Sequence, residues 1–210
     1  MFSAEDRQKI RAAVAAAEEG TRGEIVPMVV QSSGRYEATH LLGTLLALLT
    51  LSGMLIFEWE GWGSRPSPVL MLLSVVMAYV LGNLIGSFPV ILRWLTPEDH
   101  MDLQVRRRAE SAFYEHGLHK TREASGILIM ISQLEHRVQI LADRAIDEKV
   151  PAKTWDAVVD QLVLSMKNGH PADGLCRAIK QCGELLAVHF PARPGDNPDE
   201  LADDLVQGGR

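Results

Sequence analysis

Three acidic residues beside strongly apolar segments could bind a hard cation. Asp143 ends the predicted strand Arg137 to Asp143, Asp147 follows it, and Glu24 begins another apolar run. Carboxylate oxygens are ligands that calcium prefers, so these three residues form a candidate calcium site if the fold brings them together. The alternative is that Asp143 caps a short following helix while Arg144 forms a surface ion pair.

The remaining polar residues match no established phosphatase signature. Neither Cys176 nor Cys182 is followed by arginine at the spacing that cysteine phosphatases use, and the sequence has no glycine-rich phosphate loop. His116 and His119 have a spacing that a helix can use for zinc, but Gly117 lies between them at a predicted helix end. The sequence therefore identifies no catalytic residue, and it predicts no cofactor other than calcium.

Two long apolar runs interrupt the chain between Glu24 and the other two acids. Leu41 to Phe57 comprises 17 residues and Pro66 to Leu92 comprises 27, and neither run contains a charged residue. As helices they would extend roughly 25 Å and 40 Å, compared with about 30 Å for a hydrocarbon core. Buried core helices are the alternative, but a core helix with one face in water carries polar residues at helical spacing. The runs therefore predict a transmembrane hairpin with spans at about 40–58 and 67–92.

Basic residues near the two runs predict the orientation of this hairpin. Six arginines flank it and one lies in its connecting loop: Arg22, Arg35, Arg93, Arg106, Arg107 and Arg108, against Arg65. By the positive-inside rule, both termini lie in the cytoplasm and the protein is integral to the inner membrane. Trp59 and Trp62 are expected at the outer interface and Trp94 at the inner one.

Small residues predict where the membrane helices pack. Gly82 and Gly86 form a G-x-x-x-G pair, and Gly43 with Ala47 forms a second small pair. Such pairs let two helices approach closely, within this hairpin or against a partner helix. Asn83 is the one strongly polar side chain in a span, and we expect it to hydrogen-bond inside a helix contact. A single amide gives little support for a channel or transporter.

The polar parts of the chain predict an α/β domain, a small sheet sandwiched by helices. Pro27 cannot donate to a ladder, which places the first strand at an edge or a bulge. We predict a first part of the domain at 1–35, the hairpin at 36–95, a second part at 96–191 and an acidic flexible tail at 192–210. The predicted elements are helices at 4–19, 96–116, 153–167 and 172–189 and strands at 24–31, 127–132 and 137–143.

Overall charge and cysteine content exclude some classes of function. The net charge is −6 and no basic stripe is interleaved with aromatic residues, which argues against a nucleic-acid partner. Two cysteines that lie six residues apart on one predicted helix indicate no disulfide framework. The charged amino-terminal segment lacks the apolar core of a cleavable signal, so the first span is expected to direct insertion.

Several segments resemble the TPM-domain family. The block from Gly126 to Ile146 and the following Asp147 to Pro151 are similar to its core, Gly23 to Val30 is similar to its first strand, and Asn168 to Leu175 resembles the turn before its last helix. The resemblance covers about 1–35 and 97–191. The family includes a thylakoid-lumen acid phosphatase and accessory subunits of membrane receptors.

The resemblance and the residues together give two hypotheses for function. The first is a membrane-anchored module that binds, regulates or assembles an integral membrane protein complex, in which the partner is another membrane protein or a second copy of the chain. The alternative, which the resemblance implies, is a weak metal-dependent acid phosphatase with Asp143 and its neighbours at the metal. Whether the protein is an enzyme stays open at this point.

Overall fold

The computed structural model describes residues 2–34, 38–59, 67–86, 88, 90–91, 93, 96–193 and 201–208. The chain divides into two compact units, one formed by Met1–Gly34 with Asp102–Arg210 and the other by Arg35–Met101. Several residues used to predict orientation lie outside the described ones, namely Arg35, Trp62, Arg65 and Trp94, and so does the side chain of Trp59.

The helices and strands follow the predicted order closely. In chain order they are α1 (Ala4–Glu18), β1 (Glu24–Val30), α2 (Ala38–Trp59), α3 (Pro68–Gly86), α4 (Glu98–Glu115), β2 (Gly126–Ser132), β3 (Arg137–Ala142), α5 (Arg144–Asp147), α6 (Ala152–Lys167), α7 (Pro171–His189) and β4 (Val206–Gly208). A 3-10 turn at Leu118–Lys120 precedes β2. Helix α1 begins with a capping box in which Ser3 and Asp6 bond reciprocally.

The four strands form one mixed sheet in the order β3-β2-β1-β4. β1 and β2 are parallel, and they pair from Glu24 with Gly126 to Val30 with Ser132. β3 returns antiparallel beside β2, as the predicted hairpin requires. The predicted α/β class, a sheet flanked by helices, is therefore confirmed.

Helices cover both faces of the sheet, which explains why β1 and β2 are almost continuously apolar. Alternate residues such as Ile25 and Ile127 face α1, α6 and α7, where they join one hydrophobic cluster. Their neighbours, such as Val26 and Leu128, face α4 and the 3-10 turn in a second cluster. Every residue of both strands is buried.

The carboxyl-terminal segment differs from the predicted flexible tail. Residues 206–208 form β4, which pairs parallel to β1 over Met28–Val30. Leu205 is buried and Leu201 packs against the cluster beneath α4, so the prediction is wrong for 201–208. The apolar side chains of this segment complete the core at an open sheet edge. Their burial stabilises the ordered segment despite the nearby prolines and acids. Pro27 lies on the part of β1 that β4 does not cover, consistent with the predicted edge.

The second unit contains the two apolar helices α2 and α3. Within the described residues, Pro68–Gly86 is the one helix long and apolar enough to cross a membrane, by length and composition. The apolar part of α2, Leu41–Ile56, is shorter than that criterion requires. By length and composition, this helix is compatible with membrane association.

Candidate functional site

Two of the predicted metal-binding carboxylates lie at the amino-terminal end of the parallel strand pair. Glu24 is opposite Gly126 in the β1–β2 register. The backbone N–H of Asp143 donates to the carbonyl oxygen of Gly126 over 2.8 Å. Glu24 and Asp143 therefore flank Gly126 on its two sides, with backbones two strand spacings, roughly 10 Å, apart.

Gly126 also explains why the chain is so tightly packed here. A Cβ at this position would lie 2.9 Å from the carbonyl oxygen of Leu118 in the preceding 3-10 turn. Only glycine leaves room for that approach of two backbones. The turn consequently closes against the start of β2, next to the carboxylates.

Asp143 has one oxygen engaged and one not. Its Oδ1 accepts from the backbone N–H of Arg144 over 2.7 Å and so caps α5, while Arg144 pairs with Glu148 over 2.9 Å. The capping alternative considered from the sequence is thus present in the fold. The second oxygen, Oδ2, is buried and accepts no hydrogen bond from the described residues.

Asp147, one helical turn further on, interacts electrostatically with Asp143. Although Asp147 is exposed, partial desolvation of its carboxyl raises the pKa, and the nearby Asp143 charge raises it further. Both causes disfavour the charged form, because burial removes water from it and a second carboxylate repels it. The structure thus brings these two predicted site residues together as an acidic pair.

Glu24, the third predicted metal ligand, is buried and contacts the carboxyl-terminal segment. The backbone N–H of Leu201 donates to its Oε2 over 3.3 Å. Within the described ranges, no group of three His, Cys, Asp or Glu side chains is placed to hold a metal ion. Calcium takes six to eight oxygens, and the Asp143–Asp147 pair alone does not supply such a set. Calcium at Glu24, Asp143 and Asp147 stays a prediction.

A buried polar network at the other end of the strands was not found from the sequence. Ser132 donates its hydroxyl to the Glu135 carboxylate, whose Oε1 also accepts from the backbone N–H of Ser33 over 2.8 Å. The Ser33 hydroxyl donates to Ser132 Oγ over 2.7 Å. Glu135 thereby connects the chain leaving β1 to the β2–β3 turn. No local signal reveals this network, because Ser33 and Glu135 are about a hundred residues apart in sequence.

The predicted helix-packing residues lie where α2 meets α3. A Cβ at Gly82 would be 2.6 Å from the Cα of Gly43, and a Cβ at Gly43 would be 2.6 Å from Asn83 Nδ2. The Asn83 amide donates to the carbonyl oxygen of Tyr79 one turn back, over 3.0 Å. Gly86 is buried and Ala47 is half-buried. Gly43 and Gly82 therefore form a contact between α2 and α3 inside the unit.

Comparison with known proteins agrees with this architecture. A family model described as the TPM domain matches residues 90–185. The fold is similar to the NMR structure of the BA42 protein from the psychrophilic bacterium Bizionia argentinensis, with a TM-score of 0.60, 20% identity, and coverage of 99% of this chain and 96% of that one. No curated protein sequence matches the chain. The predicted resemblance to the TPM-domain family is confirmed by the family model over residues 90–185, and the structural neighbour supports the fold.

Proposed function

We propose that this protein is anchored in a membrane by α2 and α3 and that its TPM domain binds, regulates or assembles an integral membrane protein complex. The observation that carries the proposal is the apolar surface of the two helices. Exposed large apolar side chains occur along both helices: Leu41, Leu45, Leu48, Leu49, Leu51, Leu55 and Ile56 on α2, and Val69, Leu70, Leu72, Leu73, Val76, Met77, Tyr79, Val80, Leu81, Leu84 and Ile85 on α3.

Water is an unfavourable environment for this surface. Leaving a leucine or valine side chain exposed instead of buried costs about 1.5–3 kcal/mol, and soluble monomers rarely expose large contiguous apolar patches. Only 11% of the most apolar stretch of α3 is buried. A hydrocarbon environment removes this cost, whereas packing inside the unit does not.

Two hydroxyl groups of these helices are hydrogen-bonded within their own helix, as a lipid environment requires. Thr50 donates to the carbonyl oxygen of Ala47 over 2.8 Å, and Ser74 donates to that of Met71 over 2.7 Å. An unsatisfied polar group in hydrocarbon costs several kcal/mol, so spanning helices satisfy such groups internally. The 19 residues of α3 extend roughly 28 Å, close to the thickness of a hydrocarbon core.

The proposed arrangement is a two-span hairpin with both termini in the cytoplasm of an inner membrane. The chain leaves the sheet-containing unit after Gly34 and returns to it at Asp102. An even number of spans in between leaves the two parts of that unit on one side of the membrane. The arginine distribution favours the cytoplasmic side.

Fractionation and reporter fusions test the anchor. The full chain should stay with membranes in alkaline carbonate and dissolve only with detergent. Reporters fused at either terminus should be active in the cytoplasm, and a reporter in the loop near residue 62 should be active outside. Release by carbonate, or an active terminal reporter outside the cell, would contradict the proposed topology.

Photo-crosslinking from the hairpin tests the binding role. Gly43 and Gly82 pack against each other, so they are not available to a partner. A partner must contact the outer surface of the helices, for example at Val76, which is 51% exposed. A photoreactive residue at 76 should give one discrete adduct, either with another integral membrane protein or with a second copy. The same residue at the buried Leu162 should give none. Adducts with lipid alone would contradict the assembly role.

A second candidate function is weak phosphate-ester hydrolysis at the Asp143–Asp147 pair. The observation that favours it is the raised pKa of Asp147, because a carboxyl that keeps its proton into a less acidic range can donate it to a leaving group. Asp147→Asn should then abolish hydrolysis of p-nitrophenyl phosphate at acidic pH, with or without added calcium. The exposed Asp156→Asn should leave it unchanged, and absence of activity in the purified wild type would exclude this candidate.

A further inference from the structure

A cavity of about 470 Å³ lies in the sheet-containing unit, beside the β2–β3 turn and the end of α6. This volume is in the range of roughly 300–1,000 Å³ that small-molecule sites occupy. Ile131, Val163 and Met166 form part of its apolar wall. The cavity lies on the sheet face opposite α4 and is separate from the carboxylates at the other end of the strands.

The polar groups at this cavity are cationic or neutral. Lys167, His136 and Gln133 line it together with apolar side chains, and none of its described lining residues is acidic. Lys167 lies in the last turn of α6 and is exposed. Among the residues that the structure describes, Lys167 has no ion-pair partner. The cavity thus combines an apolar interior with a positively charged opening.

Hydrogen bonds to the chain leaving β1 hold the turn that carries two of these polar groups. The backbone N–H groups of Gln133 and Leu134 donate to the carbonyl oxygens of Val30 and Gln31, each over 3.0 Å. The Glu135 carboxylate is held by the two serines described above. These contacts keep the turn in one conformation without a ligand.

His136 has a backbone conformation that such anchoring must maintain. Its φ is +53°, in the left-handed region that costs a non-glycine residue about 1–2 kcal/mol. Strain of this kind persists where the surroundings over-determine it, and it concentrates at binding sites. A rigid polar turn next to an apolar cavity reduces the ordering cost of binding.

We propose that this cavity binds a short single-chain carboxylate. The alkyl chain would lie against Val163 and Met166, and the carboxylate would pair with Lys167 at the opening. A two-chain phospholipid is too large for the space. The inference uses only the sheet-containing unit, so it does not depend on the proposed membrane role.

Octanoate is the probe that tests this proposal on the full chain. Detergent would compete for the cavity, so the protein is held in nanodiscs and its methionines are methyl-labelled for NMR. Octanoate should shift the Met166 methyl signal saturably and leave that of Met28, which lies in the opposite cluster, in place. Octan-1-ol should bind more weakly, and octyltrimethylammonium more weakly still. No saturable shift at Met166 overturns the proposal.

Variants separate the ionic contact from the apolar one. Lys167→Gln should weaken octanoate binding about threefold, as for an exposed ion pair, without changing octan-1-ol binding, and Lys167→Arg should restore it. Val163→Trp places a bulky ring in the apolar part of the cavity and should weaken binding of both. The unchanged Met28 signal reports that each variant is folded. Equal losses for octanoate and octan-1-ol in Lys167→Gln would overturn the assigned role of the lysine.

Discussion

Gly43 on α2 and Gly82 on α3 approach backbone to backbone, and a Cβ at residue 82 would lie 2.6 Å from the Cα of Gly43. Close approach of this kind strengthens dispersion contacts between helices in a membrane, where no hydrophobic force drives them together. The contact therefore joins the two apolar helices into one hairpin.

Gly82→Val should separate this hairpin. Its side chain would overlap backbone atoms, which cannot move aside as a flexible side chain would, and overpacking typically costs about 1–3 kcal/mol. Faster hydrogen exchange of the α2 and α3 amides in nanodiscs would show the loss. Gly53→Val is the matched control, since no atom lies within 4 Å of a Cβ there. Equal exchange in the two variants would contradict the assigned contact.

Asp147→Asn should stabilise the sheet-containing unit at neutral pH. The folded-state pKa of Asp147 is raised above its ordinary value of 3.8, so the folded state binds more protons than the unfolded state between those two pKa values. Stability of the wild type therefore falls as pH rises through that window and stays lower above it. The asparagine variant lacks this loss, so its advantage in unfolding midpoint should be present at pH 7 and vanish below about pH 3.8. A variant advantage that is independent of pH would rule out this cause, and Asp156→Asn serves as the exposed control.

Glu135→Gln should destabilise the same unit by about 1–3 kcal/mol, because an amide cannot replace a carboxylate that accepts from both Ser33 and Ser132. The denaturant midpoint measures the change. Glu184→Gln removes an exposed carboxylate 3.9 Å from Lys180 and should shift the midpoint by less than about 0.5 kcal/mol. Similar shifts for the two variants would mean that the buried network contributes no more than a surface pair.

The two free cysteines should differ in reactivity. Burial raises the pKa of Cys182 to about 12, and its side chain is fully buried. Burial, with a smaller effect of Asp173, also raises the pKa of the half-buried Cys176. Since the thiolate is the reactive form, at pH 8 a thiol reagent should modify Cys176 slowly and Cys182 only after unfolding. Mass spectrometry of the labelled peptides checks this order, and prompt labelling of Cys182 in the native protein would contradict its burial.

Local pattern predicted the helices and the first three strands to within a few residues. Apolar periodicity and capping residues such as Ser3 act over single turns, so the sequence displays them directly. β4 was missed because three residues carry no periodicity and its pairing depends on an open edge of β1 far away in the chain. Pro27 is a similar case. Whether it lies at an unpaired edge of β1 depends on where β4 begins, because β4 pairs with β1 only from Met28 onwards.

In the candidate site too, contacts between residues close in sequence could be predicted, whereas contacts between distant segments could not. Asp143 and Asp147 are one helical turn apart, so their proximity follows from the sequence. Glu24 was expected beside them, but its contact with Leu201 depends on the path of the carboxyl-terminal segment. The Ser33–Ser132–Glu135 network joins two parts of the chain that only the assembled sheet brings together.

The position of β4 has a consequence for biosynthesis. β1 is made before the apolar helices and its neighbour β2 after them, and β4, which pairs with part of the other side of β1, is made later than both. The side of β1 that pairs with β4 therefore stays unpaired during synthesis until residues 206–208 have been made. A tag fused directly after residue 208 should interfere with the pairing of β4 to β1, whereas an amino-terminal tag should not.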